Sequence, residues 1–324
     1  MVCVPDFVTL ALAYTTDLAI GDPRWIPHPV RGIGFLAEWG ERLLRQAMRW
    51  ERMAGAMLVI AVVGISALAA WWIMTTCSAF SVVAGFITGT VLLCTCLSTR
   101  DLARESWQVL RALEADDLPR ARRQVARIVG RDTNHLDRPE IVRATLETIA
   151  ESTLDGILSP LFFFLLGGVP GAVAYKAINT LDSMIGHRSA RYINFGWAAA
   201  TLDTAANWLP ARWSAVVFTV ASRLCGYSAR NTWMAAWRQP YGTVPNAGIP
   251  EGALAGALGV RLGGANWYQG RAVTMPFLGE PHRPLEPERI REAIRLMYAA
   301  SWVGVVMTLM AVLVKSTLRV GTTW

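Results

Sequence analysis

Apolar residues run almost without interruption from Ala54 to Met74 and again from Ser78 to Leu97. Each run reaches the roughly 20 residues that cross about 30 Å of hydrocarbon as a helix. Thr75 to Cys77 alone separates them, so the pattern predicts a tight antiparallel pair of membrane helices. Residues 299–314 form a third run, with Lys315 and Arg319 just beyond. Shorter spans are expected at 7–20 and 205–225. The segment 157–177 differs from these. Leu158 to Leu166 is followed at once by Gly167, Gly168, Val169, Pro170 and Gly171, which leaves about 15 Å of helix, half a bilayer. Broken backbone survives in a membrane only where protein or a wet cavity shelters it. A re-entrant or tilted helix is therefore expected here.

The intervening segments 22–53, 98–156 and 227–296 are polar and rich in arginine. An excess of Arg and Lys in loops marks the cytoplasmic side. Within 98–156, Leu102, Val109, Leu110 and Leu113, then Val125, Ile128 and Val129, repeat at helical spacing with a break at Leu118-Pro119, which predicts a helical pair. In 227–296, Gly252, Gly256, Gly259 and Gly263 suggest one helix with a thin face for close packing. No segment alternates in the manner of a strand. The expected architecture is all-α: a polytopic integral membrane protein forming a single membrane-embedded domain over 1–324, with broken or re-entrant helices and cytoplasmic helical segments.

Composition supports this. The 324 residues are 53% hydrophobic, 17% charged and include 14 Trp, against about 25% charged in ordinary soluble chains. The net charge of +7 fits membrane topology and attraction to anionic lipid, and no motif indicates nucleic acid. Five cysteines, mostly inside apolar runs, outline neither a disulfide framework nor a zinc site. No Lys or Arg precedes Arg24, which argues against a cleaved signal peptide. Phosphate-loop, dinucleotide-binding, zinc-protease and serine-hydrolase motifs are all missing.

Ionisable residues cluster around the broken segment. Glu147, Glu151 and Asp155 stand at i, i+4 and i+8, one stripe of carboxylates on a helix that would draw Mg²⁺, an amine or arginines. The pattern alone equally allows a solvated helix face. After the break, Lys176, Asn179 and Ser183 share a second face suited to a phosphate or carboxamide, and Asp182 lies beside it. A capping Asn179 or Thr180 and a snorkelling Lys176 would produce the same pattern. Arg131 and Asp132 sit in a turn that could grip phosphate. His28 is held between two prolines, and Asp203 and Asn207 place polar groups in an apolar region, where function is the default reading.

Five blocks carry a family resemblance: GDPRWIPHPVRGIG at 21–34, IVGRDT at 128–133, ETIAESTLDGILSPLFFFLLGGVPGAVAYKAINTLDSMIG at 147–186, TLDTAANWLPAR at 201–212, and PNAGIPEGALAGALGVRLGGANWYQG at 245–270. In this order, over nearly the whole chain, they resemble the adenosylcobinamide-phosphate synthase (CobD/CbiB) family of cobalamin biosynthesis. Ser152, Thr204 and His187 depart from the family's usual Asn, Asp and Tyr, so Asp203 lacks a paired carboxylate. The resemblance implies a ligase of the bacterial inner membrane. It would join the free propionate carboxylate of adenosylcobyric acid to (R)-1-amino-2-propanol or its O-phosphate, with ATP and Mg²⁺. On that reading Glu151, Asp155, Lys176 and Asp182 are candidate catalytic groups. Arg131, Asp132, Asn179, Ser183, Asn246 and His28 are candidates for substrate or phosphate binding, and Glu147, Glu151, Asp155 and Asp203 for Mg²⁺. Membrane lipid and other membrane-bound cobalamin-assembly enzymes are the implied partners. A corrinoid transporter or an assembly scaffold is the competing class, since broken helices with ionisable groups also mark transporters.

Overall fold

The computed structural model describes residues 6–21, 29–187, 189–238, 246–268 and 270–321, with side chains described up to 318. The chain divides into two compact units interleaved in sequence: unit 1 comprises 1–98, 159–207 and 305–324, and unit 2 comprises 99–158 and 208–304. His28 lies outside the described residues. Among the described residues four helical stretches are long and apolar enough to cross a membrane: Glu51–Phe80, Val82–Glu114, Arg138–Ile185 and Glu288–Leu318. The segments expected at 54–74, 157–177 and 299–314 fall within them, whereas 78–97 straddles the turn between the first two stretches. Residues 7–20 and most of 205–225 are helical, in elements of 15 and 17 residues.

Unit 1 begins with α1 (Asp6–Ile20), α2 (Pro29–Ala47), α3 (Glu51–Phe80) and α4 (Val82–Cys94). The turn between α3 and α4 is at Ser81, which adopts extended backbone and caps α4 by accepting from the Val83 amide. It falls later than the expected turn at 75–77, because Thr75 and Cys77 fit a helix as readily as the apolar residues around them. Ile33, Ala37, Ala54, Leu58, Ala177, Leu181 and Phe195 fill the core.

The next part of unit 1 is α8 (Ser159–Ile185), which is broken at Gly168 with φ 63° and ψ −154°. Those angles are essentially open to glycine alone, and Pro170 removes a further helical donor. Across this break the chain doubles back. Phe163 and Tyr175, twelve residues apart, would be separated by about 18 Å in a straight helix, yet their rings stack with centroids 5.0 Å apart. A Cβ at Gly171 would sit 2.5 Å from the Phe163 carbonyl oxygen, so the arms touch through main chain. Ser159 Oγ and Tyr175 Oη both donate to Asn207 Oδ1, at 2.6 and 2.9 Å. Lys315 Nζ donates at 3.0 Å to the Leu165 carbonyl beside the break. The expected re-entrant segment is a helical hairpin. The next helix of unit 1 is α9 (Trp197–Ala206).

Unit 2 contains α5 (Thr99–Glu114) and α6 (Leu118–Val125), the expected helical pair, divided where Asp117 caps α6 and Pro119 enters its first turn. α7 (Arg138–Thr153) starts with a capping box between Asp137 and Glu140 and ends in a π turn at Leu154–Leu158. α10 (Trp208–Leu224), α11 (Ala229–Trp237) and α12 (Gly248–Leu258) follow. Gly259 closes α12 in the left-handed conformation with φ 67°. The single glycine-faced helix expected through Gly263 therefore ends earlier. Gly252 and Gly256 do provide a thin face, against the carbonyls of Ala235 and Asn231.

The all-α expectation misses one element. β1 (Leu262–Tyr268) and β2 (Arg271–Leu278) form an antiparallel hairpin with an irregularity between Leu262 and Gly264. Its alternation is weak, because long-range hydrogen bonds hold the first strand. Gly263 and Ala265 carbonyls accept from Arg143, and the Trp267 carbonyl accepts from the Asp132 amide. α13 (Glu288–Gly321) starts in unit 2 and ends in unit 1.

Candidate functional site

A cavity of about 190 Å³ lies within unit 2, between α7, α12, the β-hairpin and the turn at 128–131. Its polar wall consists of Arg131, Glu147, Glu151, Glu251, Asn266 and Tyr268. The helical spacing of Glu147 and Glu151 brings both to this wall. Asp155 begins the π turn, and on this helix the lining stops at Glu151.

Glu147 is the fixed point of the wall. One carboxylate oxygen accepts from the Gly263 amide at 2.9 Å and from Arg143 at 3.3 Å, and the other accepts from Arg131 at 2.5 Å. Arg131 also donates to Asn266 Oδ1. Arg143 donates to the carbonyls of Gly263 and Ala265 at 2.7 and 2.9 Å. The three charged side chains are 5%, 9% and 12% exposed for Arg131, Arg143 and Glu147. Charges this buried persist because each is paired and hydrogen-bonded. Asp132 Oδ2 accepts from the Gly270 amide at 2.8 Å, so Arg131 and Asp132 together clamp the turn to the hairpin.

Glu251 stands apart from this lattice. It is the one acid in the apolar helix α12. It retains a little accessible surface, yet burial first, and then the negative charges of Glu151 and Glu147, push its carboxyl well above the usual carboxylate range. Arg131 offsets part of that effect. Burial likewise raises the Tyr268 phenol, with Arg131 opposing it. Glu147 and Glu151 balance Arg131 and Arg143 in charge, so the net charge of this region turns on Glu251, whose burial favours the neutral acid. Asn246 is buried beside the lining residue Ala247 and accepts from Arg212 at 3.4 Å.

The remaining candidates belong to unit 1. Lys176, Asn179, Asp182 and Ser183 lie on the returning arm of the α8 hairpin. The Ser183 hydroxyl donates to the Asn179 carbonyl at 2.9 Å. Asp203 accepts from Asn207 at 3.1 Å, which joins it to the Ser159–Tyr175 network. Among the described residues no group of three or more His, Cys, Asp or Glu side chains is arranged to hold a metal ion, so the donor set does not fit a resident metal. Mg²⁺ carried on nucleotide phosphates makes a lesser demand of one or two carboxylates.

A family model described as CobD/Cbib protein matches residues 10–297, a range that includes the cavity and the α8 hairpin. The chain belongs to the CobD/CbiB family. The cobalamin biosynthesis protein CobD of Geobacter metallireducens is 47% identical over 289 residues, covering 89% of this chain and 91% of its own. That of Pelobacter propionicus is 44% identical, covering 94% and 95%. The cobalamin biosynthesis protein CbiB of Salmonella typhi is 40% identical, covering 90% and 92%. No solved structure matches. As a CobD/CbiB protein the chain acts in cobalamin biosynthesis, and its four long apolar helices make it a membrane protein.

Reading the sequence for motifs did not single out Glu251, Asn266 or Tyr268. One signal was present for Glu251: a lone acid in the otherwise apolar GIPEGALAGAL. Asn266 and Tyr268 fall in the family block at 245–270, but their place on this wall depends on the hairpin.

Proposed function

We propose that this protein forms an amide between the free propionate carboxylate of adenosylcobyric acid and the amine of (R)-1-amino-2-propanol or its O-phosphate. Amide formation from a carboxylate is uphill in water. ATP, with Mg²⁺ on its phosphates, supplies the drive by converting the carboxylate to an acyl phosphate. The observation that carries the reading is the carboxylate-walled cavity of unit 2, in a chain that belongs to a cobalamin-biosynthesis family. At about 190 Å³ it is smaller than the roughly 300–1,000 Å³ of sites for drug-sized ligands. A short-chain amine fits it, whereas a corrinoid does not. The carboxylates of Glu147 and Glu151 offer acceptors for the ammonium group of that amine, and Arg131 provides a cation for a phosphate or hydroxyl at the other end.

In this proposal the Arg-rich segments of unit 2 lie on the cytoplasmic side of a bacterial inner membrane, where ATP is available. The α8 hairpin returns the chain toward the side from which it enters, which brings Lys176, Asn179 and Ser183 to a position where they can serve as phosphate or carboxamide ligands. Purified protein supplied with adenosylcobyric acid, aminopropanol phosphate and Mg-ATP should release the corrinoid amide. Absence of amide, together with corrinoid uptake into sealed vesicles, would replace this reading with transport.

A further inference from the structure

We propose that a second, larger cleft in unit 2 binds the nucleoside triphosphate, next to the small carboxylate-walled cavity and divided from it by a shared wall. The inference rests on the amide-forming reading above and gives its phosphate donor a place. The cleft has a volume of about 670 Å³, within the roughly 300–1,000 Å³ of small-molecule sites. It is bounded by α7, the two strands of the hairpin and the loop at 281–285. Gly263 lines both cavities. Arg143 lines the larger one while it bonds Glu147, which lines the smaller. A phosphate in the large cleft and an amine in the small one would therefore lie on two sides of one ion pair.

The donors suit phosphate. Arg143, Arg261 and Arg283 line the cleft against one acid, Glu140, whose side chain accepts from the Asp137 amide in the capping box. A guanidinium has five N–H donors. Arg143 spends three bonds on Glu147, Gly263 and Ala265, and Arg283 spends two on Glu292. Both are thus fixed in place with N–H groups left for phosphate oxygens, which arginine grips with directional bonds. Glu147 and Glu292 balance those two charges, whereas no carboxylate among the described residues pairs with Arg261. Arg261 instead lies over the Phe277 ring, 4.4 Å from its centroid. A Cβ at Gly264 would come within 3.0 Å of that ring. Bare main chain and a guanidinium therefore hold Phe277 in place, although it is 56% exposed. A flat cation on a flat ring, at the edge of a polar cleft, is a stacking platform for a nucleobase. Platform and phosphate donors together match a nucleotide, in a sequence that has no phosphate loop to offer backbone amides instead.

The test uses the full-length protein in nanodiscs, with binding of the fluorescent nucleotide MANT-ATP measured in the presence of Mg²⁺. Arg261→Ala and Phe277→Ala should each weaken binding by roughly 10-fold, the usual worth of one charge-assisted hydrogen bond or one stacked base. Arg261→Lys, which keeps the charge without the plane, should recover part of the loss. Photolysis of 8-azido-ATP with the unaltered protein should label peptides within 259–285, a readout that does not depend on any variant folding. Unchanged affinity in both Ala variants, or labelling confined to other peptides, overturns the proposal. Loss of adenosylcobyric acid binding in those variants with MANT-ATP binding intact would give the cleft to the corrinoid and overturn it as well. A parent protein that forms amide while its label lies elsewhere loses this site and keeps the amide-forming reading. One that forms no amide loses that reading itself, so the two failures are distinguishable.

Discussion

The two units satisfy their polar groups in different ways. In unit 1 the broken helix α8 is held mainly by single hydrogen bonds: Ser159 and Tyr175 share one oxygen of Asn207, whose amide donates to Asp203, and Lys315 donates to a carbonyl beside the break. In unit 2 a buried lattice of two arginines and one glutamate fixes a strand by its main chain. Where membrane surrounds a helix, a fixed ion pair is costly and neutral hydrogen bonds suffice to cap a few freed groups. A functional wall needs charge, and it is kept there by mutual pairing. The contrast is between these two sites, since unit 1 elsewhere buries Glu41 against Arg45 and Arg191, and it can be tested.

The sharpest contrast comes from Glu147→Ala. It leaves Arg131 and Arg143 buried without their carboxylate, and breaking a buried pair in this way costs about 3–5 kcal/mol. Loss of stability on chemical unfolding, with protease cleavage appearing in the β-hairpin, is the expected result. A near-neutral outcome would mean the lattice is decoration. In unit 1 the comparable lesion is Gly168→Val, which forces a branched residue into glycine-only angles at about 1–3 kcal/mol. The hairpin should also loosen, so a cysteine introduced at Ser183 should change its labelling pattern.

Asn207→Ala removes the shared acceptor from Ser159 and Tyr175. Leaving buried donors unsatisfied costs about 1–3 kcal/mol, measurable as a lower Tm in detergent. Replacing the whole trio by apolar residues of similar size should recover part of that loss, which a buried ionic lattice would show less simply. The smallest expected effect is on pH dependence. Folding raises the Glu251 pKa, so the folded chain binds that proton more tightly than the unfolded one. Its contribution to stability is full below the ordinary carboxylate range and is lost as pH rises through the raised value. Glu251→Gln removes that loss. The variant should match the parent at about pH 4 and melt higher than it at about pH 8.

Different parts of this architecture were legible for different reasons. The long spans and the α5–α6 break could be read because apolar runs, Asp117 and Pro119 act on their own neighbours. The break in α8 could be read from Gly168 and Pro170 for the same reason. The carboxylate stripe was half legible: spacing places Glu147 and Glu151 together, but the π turn that parts Asp155 from the cavity leaves no local mark. The β-hairpin was hidden because Arg143 and Asp132, more than 100 residues away in the chain, supply the bonds that make it a strand.

The sequence by itself determined a membrane protein with a broken helix and a family whose members act in cobalamin biosynthesis, since hydropathy, glycine–proline geometry and ordered motifs are properties of adjacent residues. Only the tertiary structure decided that Glu147 is an anchor, that Glu251 faces it across a small cavity, and that the Lys176 face belongs to a different unit from the carboxylates. Those depend on which helices meet. A carboxylate at helical spacing carries no mark of whether it will find two arginines, another carboxylate or water.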